Sequence, residues 1–183
     1  MSSIAITGGA TGTGVFSLLA PSTSTNRTIN LPDSNGTILT TATAGVPVNG
    51  PAFSAYFTGS QTITSNVATK VQINTEEFDT NSNFDSATNY RFTPTVAGYY
   101  QVNGCIYPST STTNSAVYIY KNGANFKFAN FPANNSSAFV SAVIYLNGST
   151  DYLELYGYLT GTTPAFQAGV AYNTFSAAMV RGA

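Results

Sequence analysis

Residues 116–128 of the 183-residue chain read Ala116-Val117-Tyr118-Ile119-Tyr120-Lys121-Asn122-Gly123-Ala124-Asn125-Phe126-Lys127-Phe128. Two runs rich in β-branched and aromatic residues flank an Asn-Gly pair. Asn and Gly are the residues best able to take the positive φ angles that both centres of a type I′ turn require. The stretch therefore predicts an antiparallel β-hairpin.

The same pattern continues along most of the chain. From Ala52 onward, runs rich in Val, Ile, Thr, Tyr and Phe alternate with clusters of Gly, Asn, Ser and Pro, which is typical of short strands joined by turns. These runs lie at 52–58, 67–73, 90–92, 97–107, 116–121, 125–131, 138–146, 151–160 and 165–180. Because no stretch keeps a helical period, the sequence predicts an all-β, antiparallel sandwich of the jelly-roll type over residues 51–183.

The first fifty residues differ in composition from the rest. They hold a single aromatic residue, Phe16, and several glycines, so they lack the large side chains that a core of their own would need. Residues 44–51 combine Gly and Pro as a linker does. We expect residues 1–50 to form an extended segment that gains order against a partner, followed by one head domain.

Charge is scarce, and histidine is absent. Only 7% of residues are charged, with six basic against seven acidic residues, no His and a single Cys. These counts exclude His-dependent catalysis, His metal sites and a disulfide within the chain. Phosphate-driven nucleic-acid binding is disfavoured because few counterions could be released, and no stretch is apolar enough to insert into a membrane.

Tyrosine recurs on the second face of several predicted strands. In residues 151–159 the leucines fall on one face and tyrosines on the other, and residues 117–120 alternate in the same way. Tyrosine suits subunit interfaces because its ring buries apolar area while its hydroxyl finds a polar partner. The candidate interface residues are Tyr118, Tyr120, Tyr152, Tyr156 and Tyr158. The alternative is that they are ordinary surface tyrosines.

One stretch resembles a known family. Residues 83–102 contain an aromatic residue, five intervening residues and then Gly-x-Tyr, as Phe92, Gly98 and Tyr100. This spacing is similar to the signature of C1q-like domains of the tumour-necrosis-factor jelly-roll superfamily. Further matches follow at 51–56, 121–123, 146–155 and 174–177. The resemblance implies a trimer, and it implies structural core positions at Phe92, Gly98, Tyr100 and Phe175.

The N-terminal segment resembles a different group of proteins. Leu19-Ala20-Pro21 followed by residues 26–39 is similar to a segment of bacteriophage fibre and virion-appendage proteins. Together the two resemblances imply a homotrimeric, non-enzymatic fibre on the surface of the phage particle. Its N-terminus would dock on other virion proteins, and its head would contact a host-surface glycan or protein.

Three other functions stay open at this stage. The first is a purely structural head or tail decoration without receptor binding. The second is a fibre that cleaves polysaccharide, which would have to use the acidic residues Glu76, Glu77, Asp79 and Asp85, although such charges also keep a surface soluble. The third is a bacterial surface protein of the C1q-like type.

Asp79, Asn81, Asn83 and Asp85 place oxygen-bearing side chains at every second position, as some calcium loops do. Phe84 stands where a helix–loop–helix calcium site needs Gly, so a hydrogen-bonded polar turn is favoured and no metal or other cofactor is expected. Receptor-contact residues are not identifiable from the sequence. Loops 108–115, 132–137 and 160–164 are the candidates, because Ser, Thr and Asn give them adaptable hydrogen bonds.

Overall fold

The computed structural model describes residues 50–132 and 134–183, so the predicted N-terminal segment lies outside the described residues apart from Gly50. These residues form strands and turns, and they contain no helix of the length and apolar character that a membrane crossing requires. The strands of the described part are β1 Ala52–Tyr56, β2 Gln61–Thr62, β3 Thr69–Lys70, β4 Thr75–Asp79, β5 Phe84–Asp85, β6 Arg91–Phe92, β7 Ala97–Ile106, β8 Thr112–Lys121, β9 Ala124–Phe131, β10 Ala138–Asn147, β11 Leu153–Gly161, β12 Ala165–Phe166 and β13 Thr174–Gly182.

Two antiparallel sheets carry the fold. The first sheet has the order β10-β7-β13-β1-β4, and the second has the order β5-β6-β11-β8-β9, with β3 also paired to β11. A small third pairing joins β12 to β2. All neighbours in the first sheet, and β6, β11 and β8 in the second, come from separate parts of the sequence, as in the predicted jelly roll. The all-β antiparallel prediction is therefore confirmed.

The hairpin predicted from residues 116–128 is confirmed in its strands and in its turn. Strands β8 and β9 pair antiparallel around Asn122 and Gly123, whose φ angles are 54° and 77°. The side-chain amide of Asn122 also reaches beyond the hairpin. It donates to Asp151 at 2.7 Å and accepts from the Tyr152 N–H at 2.9 Å, so the turn holds the loop that precedes β11.

Aromatic rings fill the space between the two sheets. The Phe53 ring stacks on Phe84 and Phe92 with centroids 4.5 and 4.6 Å apart, and Phe175 meets it edge-on at 5.2 Å. Leu153, Leu155 and Leu159 of β11 face the same core and are fully buried, as their alternation with tyrosine predicts. Burial of this apolar area is the main force that holds the sheets together.

The Gly-x-Tyr spacing has a packing explanation. A Cβ atom on Gly98 would lie 2.5 Å from the backbone oxygen of Arg181 in the neighbouring strand β13, so only glycine fits this pairing. Two residues on, Tyr100 is completely buried, and its hydroxyl donates to the Val96 carbonyl at 2.7 Å. Burial raises the pKa of this hydroxyl to about 12.

The sandwich has two distinct ends. The chain enters beside Met179 of β13, where the Pro51 carbonyl accepts from the Met179 N–H. β13 ends at the same end of the sandwich, with Gly182 opposite Gly98 at the start of β7. At the other end, β7 finishes and loop 107–111 leads into β8. A ten-residue strand separates the two ends by roughly 30 Å.

Part of the sequence-based strand assignment is wrong. The predicted single run 165–180 is divided into β12 and β13 by a segment that turns back on itself through Gly169 and Asn173. Asn173 is fully buried there, accepting from the Tyr107 N–H and donating to the Gln167 carbonyl. Its side chain replaces the backbone pairing that a continuous strand would have made.

Candidate functional site

All five tyrosines singled out in the sequence lie on the outer face of the second sheet. In the antiparallel register Tyr118 stands opposite Tyr156, and Tyr120 stands opposite Glu154. Tyr158 of β11, and Tyr152 immediately before that strand, continue the same alternating row. We call this surface, formed by these tyrosines and Glu154, the tyrosine face.

The rings of the tyrosine face pack on one another. Tyr120 and Tyr156 stack with centroids 3.8 Å apart, and Tyr118 stacks on Phe128 of β9 at 5.7 Å. Each of the five tyrosines is partly buried in the single chain. Much of their ring area is therefore already covered by neighbouring rings before any subunit contact forms.

A buried carboxylate lies among these rings. The side chain of Glu154 is only 6% exposed, and its Oε1 lies 2.5 Å from Nζ of Lys70. Lys70 also donates to the Asn89 carbonyl at 3.3 Å. On the other side of the pair, the guanidinium of Arg91 sits 4.6 Å from the centroid of the Tyr152 ring. No local pattern indicates the ion pair, since its two members are 84 positions apart in different strands.

Burial raises the pKa of two hydroxyls on this face. For Tyr118 the main cause is desolvation, with smaller contributions from the neighbouring phenols of Tyr120 and Tyr158. For Tyr156 it is again desolvation, followed by the negative charge of Glu154. These hydroxyls therefore stay neutral hydrogen-bonding groups at physiological pH, and they do not act as bases.

The outer face of the first sheet carries the more exposed apolar side chains. Phe139, Val143 and Tyr145 project from β10 with 43–61% of their surface exposed, and the ring of Tyr99 of β7 meets that of Tyr145 at a tilt, with centroids 5.4 Å apart. Phe78 of β4 lies at the opposite edge of the sheet and is 51% exposed. Large exposed apolar groups that share one face are typical of protein contact surfaces.

Between these edges the first sheet is lined by small side chains. A shallow groove of about 260 Å³ runs over Ser54, Ser176 and Ala178, with Phe78 on one side and Gln101 and Asn103 on the other. Cys105, the single cysteine, is half-buried on the same face, and burial raises the pKa of its thiol. The first sheet therefore has a concave groove in its middle and protruding aromatic side chains along β10, and these two shapes complement each other.

The three candidate loops meet at the end of the sandwich opposite the incoming chain. They form a cleft of about 330 Å³, which we call the loop cleft. Its walls are Ser111, Thr112, Thr113, Asn134, Asn135, Gly161 and Thr162. Loops chosen only for their composition thus prove to be neighbours, because β8, β10 and the loop after β11 all begin at this end.

Three of the four candidate calcium ligands, Asp79, Asn83 and Asp85, accept hydrogen bonds from backbone N–H groups. Asp79 accepts from the Asn81 and Phe84 N–H groups, and buried Asn83 accepts from the Thr95 N–H. Asp85 accepts from three successive N–H groups, of which Thr88 at 2.8 Å lowers its pKa most, to about 2. Asp79 and Asp85 therefore each hold a hydrogen-bonded polar turn. The described residues also contain no cluster of three or more Asp, Glu or Cys side chains suited to a metal ion.

The acidic residues considered for glycoside cleavage line neither cleft, although Glu77 contacts Ser54 at the edge of the groove. Glu77 accepts from the Ser54 hydroxyl and Glu76 from the Ser86 hydroxyl, on the exposed strand β4. No carboxylate lines the groove of the first sheet or the loop cleft. These side chains therefore bind neighbouring hydroxyls at the edge of the first sheet.

The four core positions implied by the resemblance are all buried. Phe92, Tyr100 and Phe175 are fully buried, and Gly98 is buried against β13. Phe92 and Tyr100 meet edge-on with centroids 5.6 Å apart. The Gly-x-Tyr spacing therefore joins strand pairing and core packing in one short segment.

Comparison with solved structures identifies the fold of the head. No family model matches the sequence, and no curated protein matches it. Among solved structures, murine APRIL at pH 8.5 superposes with a TM-score of 0.57 and 8% identity, covering 72% of this chain and 100% of that one. The Eiger TNF structure from S. frugiperda superposes with a TM-score of 0.57 and 12% identity, covering 74% of this chain and 96% of that one. The head domain therefore has a tumour-necrosis-factor-like jelly-roll fold.

Proposed function

We propose that this chain is a non-enzymatic, homotrimeric bacteriophage fibre or appendage protein. In this proposal residues 1–50 dock on other proteins of the particle, and the head contacts a glycan on the host surface. The observation that carries it is the difference between the two ends of the head. The chain enters at one end, and three polar loops meet in a cleft at the other. An attached head with its binding surface pointing outward needs this arrangement.

Self-association is supported by the outer face of the first sheet. A cyclic trimer joins two different patches of each subunit, so that every interface is heterologous. The aromatic edge of β10 and the small-residue groove across β1 and β13 provide two such patches on one sheet. The tyrosine face remains the sequence-based prediction for this contact. Its rings, however, are already stacked and surround an ion pair, so we assign the contact to the first sheet.

Light scattering of the full chain tests the oligomer. The proposal requires a mass three times the chain mass of 19.1 kDa. Val143→Arg, on the first sheet, should give monomers, whereas Tyr158→Arg, on the tyrosine face, should leave the trimer intact. A monomeric wild-type chain would refute the trimer, and the opposite behaviour of the two variants would move the interface to the tyrosine face.

The single cysteine gives a second measurement of the same contact. Cys105 lies on the proposed interface and is half-buried in the isolated chain. Alkylation of its thiol should be slower in the trimer than in the Val143→Arg monomer. Equal rates would place Cys105, and with it the first sheet, outside the interface.

The position on a particle and the contact with a host are tested separately. Antibodies against the head should label intact particles of the phage that encodes the chain. The soluble trimer should bind host cells and compete with the adsorption of those particles to the cells. Labelled particles without competition would support the purely structural decoration. Shortening of host polysaccharide by the purified trimer would support the cleaving alternative and refute the non-enzymatic assignment.

A further inference from the structure

We propose that the loop cleft is a binding site for a neutral, hydroxyl-rich saccharide. This inference rests on the proposed host contact, and it names both the place of binding and the chemical class of the ligand. The cleft falls in the range of about 300–1,000 Å³ typical of small-ligand sites. Its walls are Ser, Thr, Asn and Gly from three separate loops, and none of the lining side chains is charged.

The lining chemistry selects the ligand. Hydroxyl and amide groups donate and accept hydrogen bonds at once, as the hydroxyls of a sugar do. A carboxylated or sulfated sugar would have to surrender part of its hydration without gaining a cation, which is costly. The absence of charge in the walls of this cleft therefore favours neutral sugars over acidic ones.

Hydrogen-bonding capacity is left over beside the cleft. Thr112 lines it and is 2% exposed, yet its Oγ1 has no hydrogen-bond partner among the described residues. The Asn114 Oδ1 and Ser115 Oγ atoms, two and three positions further along β8, are in the same condition. A buried polar group without a partner destabilises the free protein. This Oγ1 atom is itself covered, so a hydroxylated ligand would remove that cost by drawing the Thr112 hydroxyl towards the cleft and supplying the missing bond.

Local bonds hold the cleft in shape before a ligand arrives. The Thr112 N–H donates to Oδ1 of Asn135 at 2.9 Å, and the Asn135 N–H donates back to the Thr112 carbonyl at 3.1 Å. A Cβ on Gly161 would lie 2.5 Å from the Ser111 carbonyl, so the absence of a side chain there lets two of the loops touch. Such preorganisation lowers the entropy lost on binding.

Two loops of the cleft also contain strained backbone. Asn135 and Thr163 have φ angles of 52° and 51°. Asn tolerates this region, but for a β-branched residue such as Thr it is costly. Strain of this kind is kept mostly where a binding or catalytic site requires it. At Thr163 it lies one residue beyond Thr162 in the cleft wall.

The same chemistry predicts weak binding at each cleft. The lining has no aromatic ring on which a sugar could stack, so hydrogen bonds that compete with water must supply the affinity. A trimer presents three copies of the cleft, and linked sites can raise the overall affinity by a factor of about 10² to 10⁴. Firm attachment to a surface would therefore depend on the trimer.

Saturation-transfer NMR and titration of the full chain with defined sugars test the site. The probes are neutral oligosaccharides of glucose, galactose or mannose, together with uronic-acid oligosaccharides of the same length. We expect at least one neutral probe to bind at least tenfold more tightly than its acidic counterpart. Thr112→Val should weaken that binding about tenfold while the melting temperature rises or stays unchanged. Thr93→Val, which makes the same change at a partly exposed threonine at the opposite end of the sandwich, is the control and should leave binding unchanged.

A second variant tests the strained loop. Thr163→Gly removes the φ strain, so it should raise the melting temperature and weaken binding several-fold. The inference is overturned if no neutral probe binds, if acidic probes bind as well or better, or if Thr112→Val lowers the melting temperature without weakening binding. Host-cell binding that survives Thr112→Val unchanged would also overturn it, yet leave the proposed function standing. A trimer that binds neither cells nor particles would refute the proposed function, whereas the sugar titration would still decide the cleft.

Discussion

Nζ of Lys70 lies 2.5 Å from Oε1 of Glu154, so an ion pair sits beneath the stacked rings of the tyrosine face. Lys70 keeps about a third of its side chain exposed, whereas Glu154 is almost completely covered. Water therefore solvates Lys70 but hardly reaches Glu154. Removing the lysine lowers the stability more than its own exposure suggests, because the carboxylate that remains is buried.

Lys70→Met should lower the free energy of unfolding by about 2–3 kcal/mol, because it leaves the Glu154 carboxylate buried without a cation. Urea denaturation at neutral pH measures the change. The double variant Lys70→Met/Glu154→Leu should recover most of the loss, since replacing both charges removes the desolvation cost. A single variant within 0.5 kcal/mol of the wild type would contradict this account of the pair.

Tyr100→Phe removes the hydroxyl that donates to the Val96 carbonyl at 2.7 Å in the core. We expect a loss of about 1 kcal/mol in the free energy of unfolding, with no change of the fold. Tyr172→Phe is the matched control, because Tyr172 is 40% exposed and lies outside the proposed contact face. Equal effects of the two substitutions would show that the buried hydrogen bond contributes nothing measurable.

Asn122 holds a turn and a distant loop together, and two substitutions separate these roles. Asn122→Gly keeps the positive φ but loses the bonds to Asp151 and Tyr152, which should cost about 1–2 kcal/mol. Asn122→Asp places a second carboxylate against Asp151, so it should be less stable than Asn122→Gly at pH 7. Thermal unfolding measures both. The ranking should disappear at acid pH, where the carboxylates are protonated, and two variants as stable as the wild type would refute the connection.

Asp85 should remain ionised to unusually low pH. The Thr88 N–H is the main cause of its lowered pKa, opposed by partial burial and assisted by the Asn89 side chain. Because the folded value, about 2, lies below the ordinary 3.8, the stabilisation is complete above pH 4 and is lost as the pH falls towards 2. The amide NMR signals of Thr88 and Asn89 should titrate with a midpoint close to 2, and Asp85→Asn should abolish that titration. A midpoint close to 4 would contradict the hydrogen-bonded turn.

Long, periodic segments could be predicted from the sequence, and short or polar ones could not. The hairpin, the inward leucines of β11 and the Gly-x-Tyr segment each repeat a local rule within a few residues. Residues 75–79 contain Glu76-Glu77, and glutamate is disfavoured in strands. They nevertheless form strand β4, because they pair with β1. Strands β2, β5 and β12 have two residues each, which is too short for any alternation to be visible.

The candidate surfaces show the same limit. Alternation places the tyrosines on one face correctly, but the Lys70–Glu154 pair depends on strand order, which local patterns do not encode. Loop composition selects the three loops of the cleft. Their convergence depends on Asn135, Gly161 and the common end of β8, β10 and β11. Both the ion pair and the convergence of the loops therefore depend on contacts between distant segments, which residue types alone do not reveal.

The adjacency of β1 and β13 has a further consequence. Because β1 begins and β13 ends at the same end of the sandwich, the described part of the chain enters and leaves the head there. A domain attached in this way can be exchanged as a unit by recombination at the preceding linker, without cutting through its core. Recombination there could therefore replace the whole head, or only the loops of its free end, while the sheets and the point of connection stay the same.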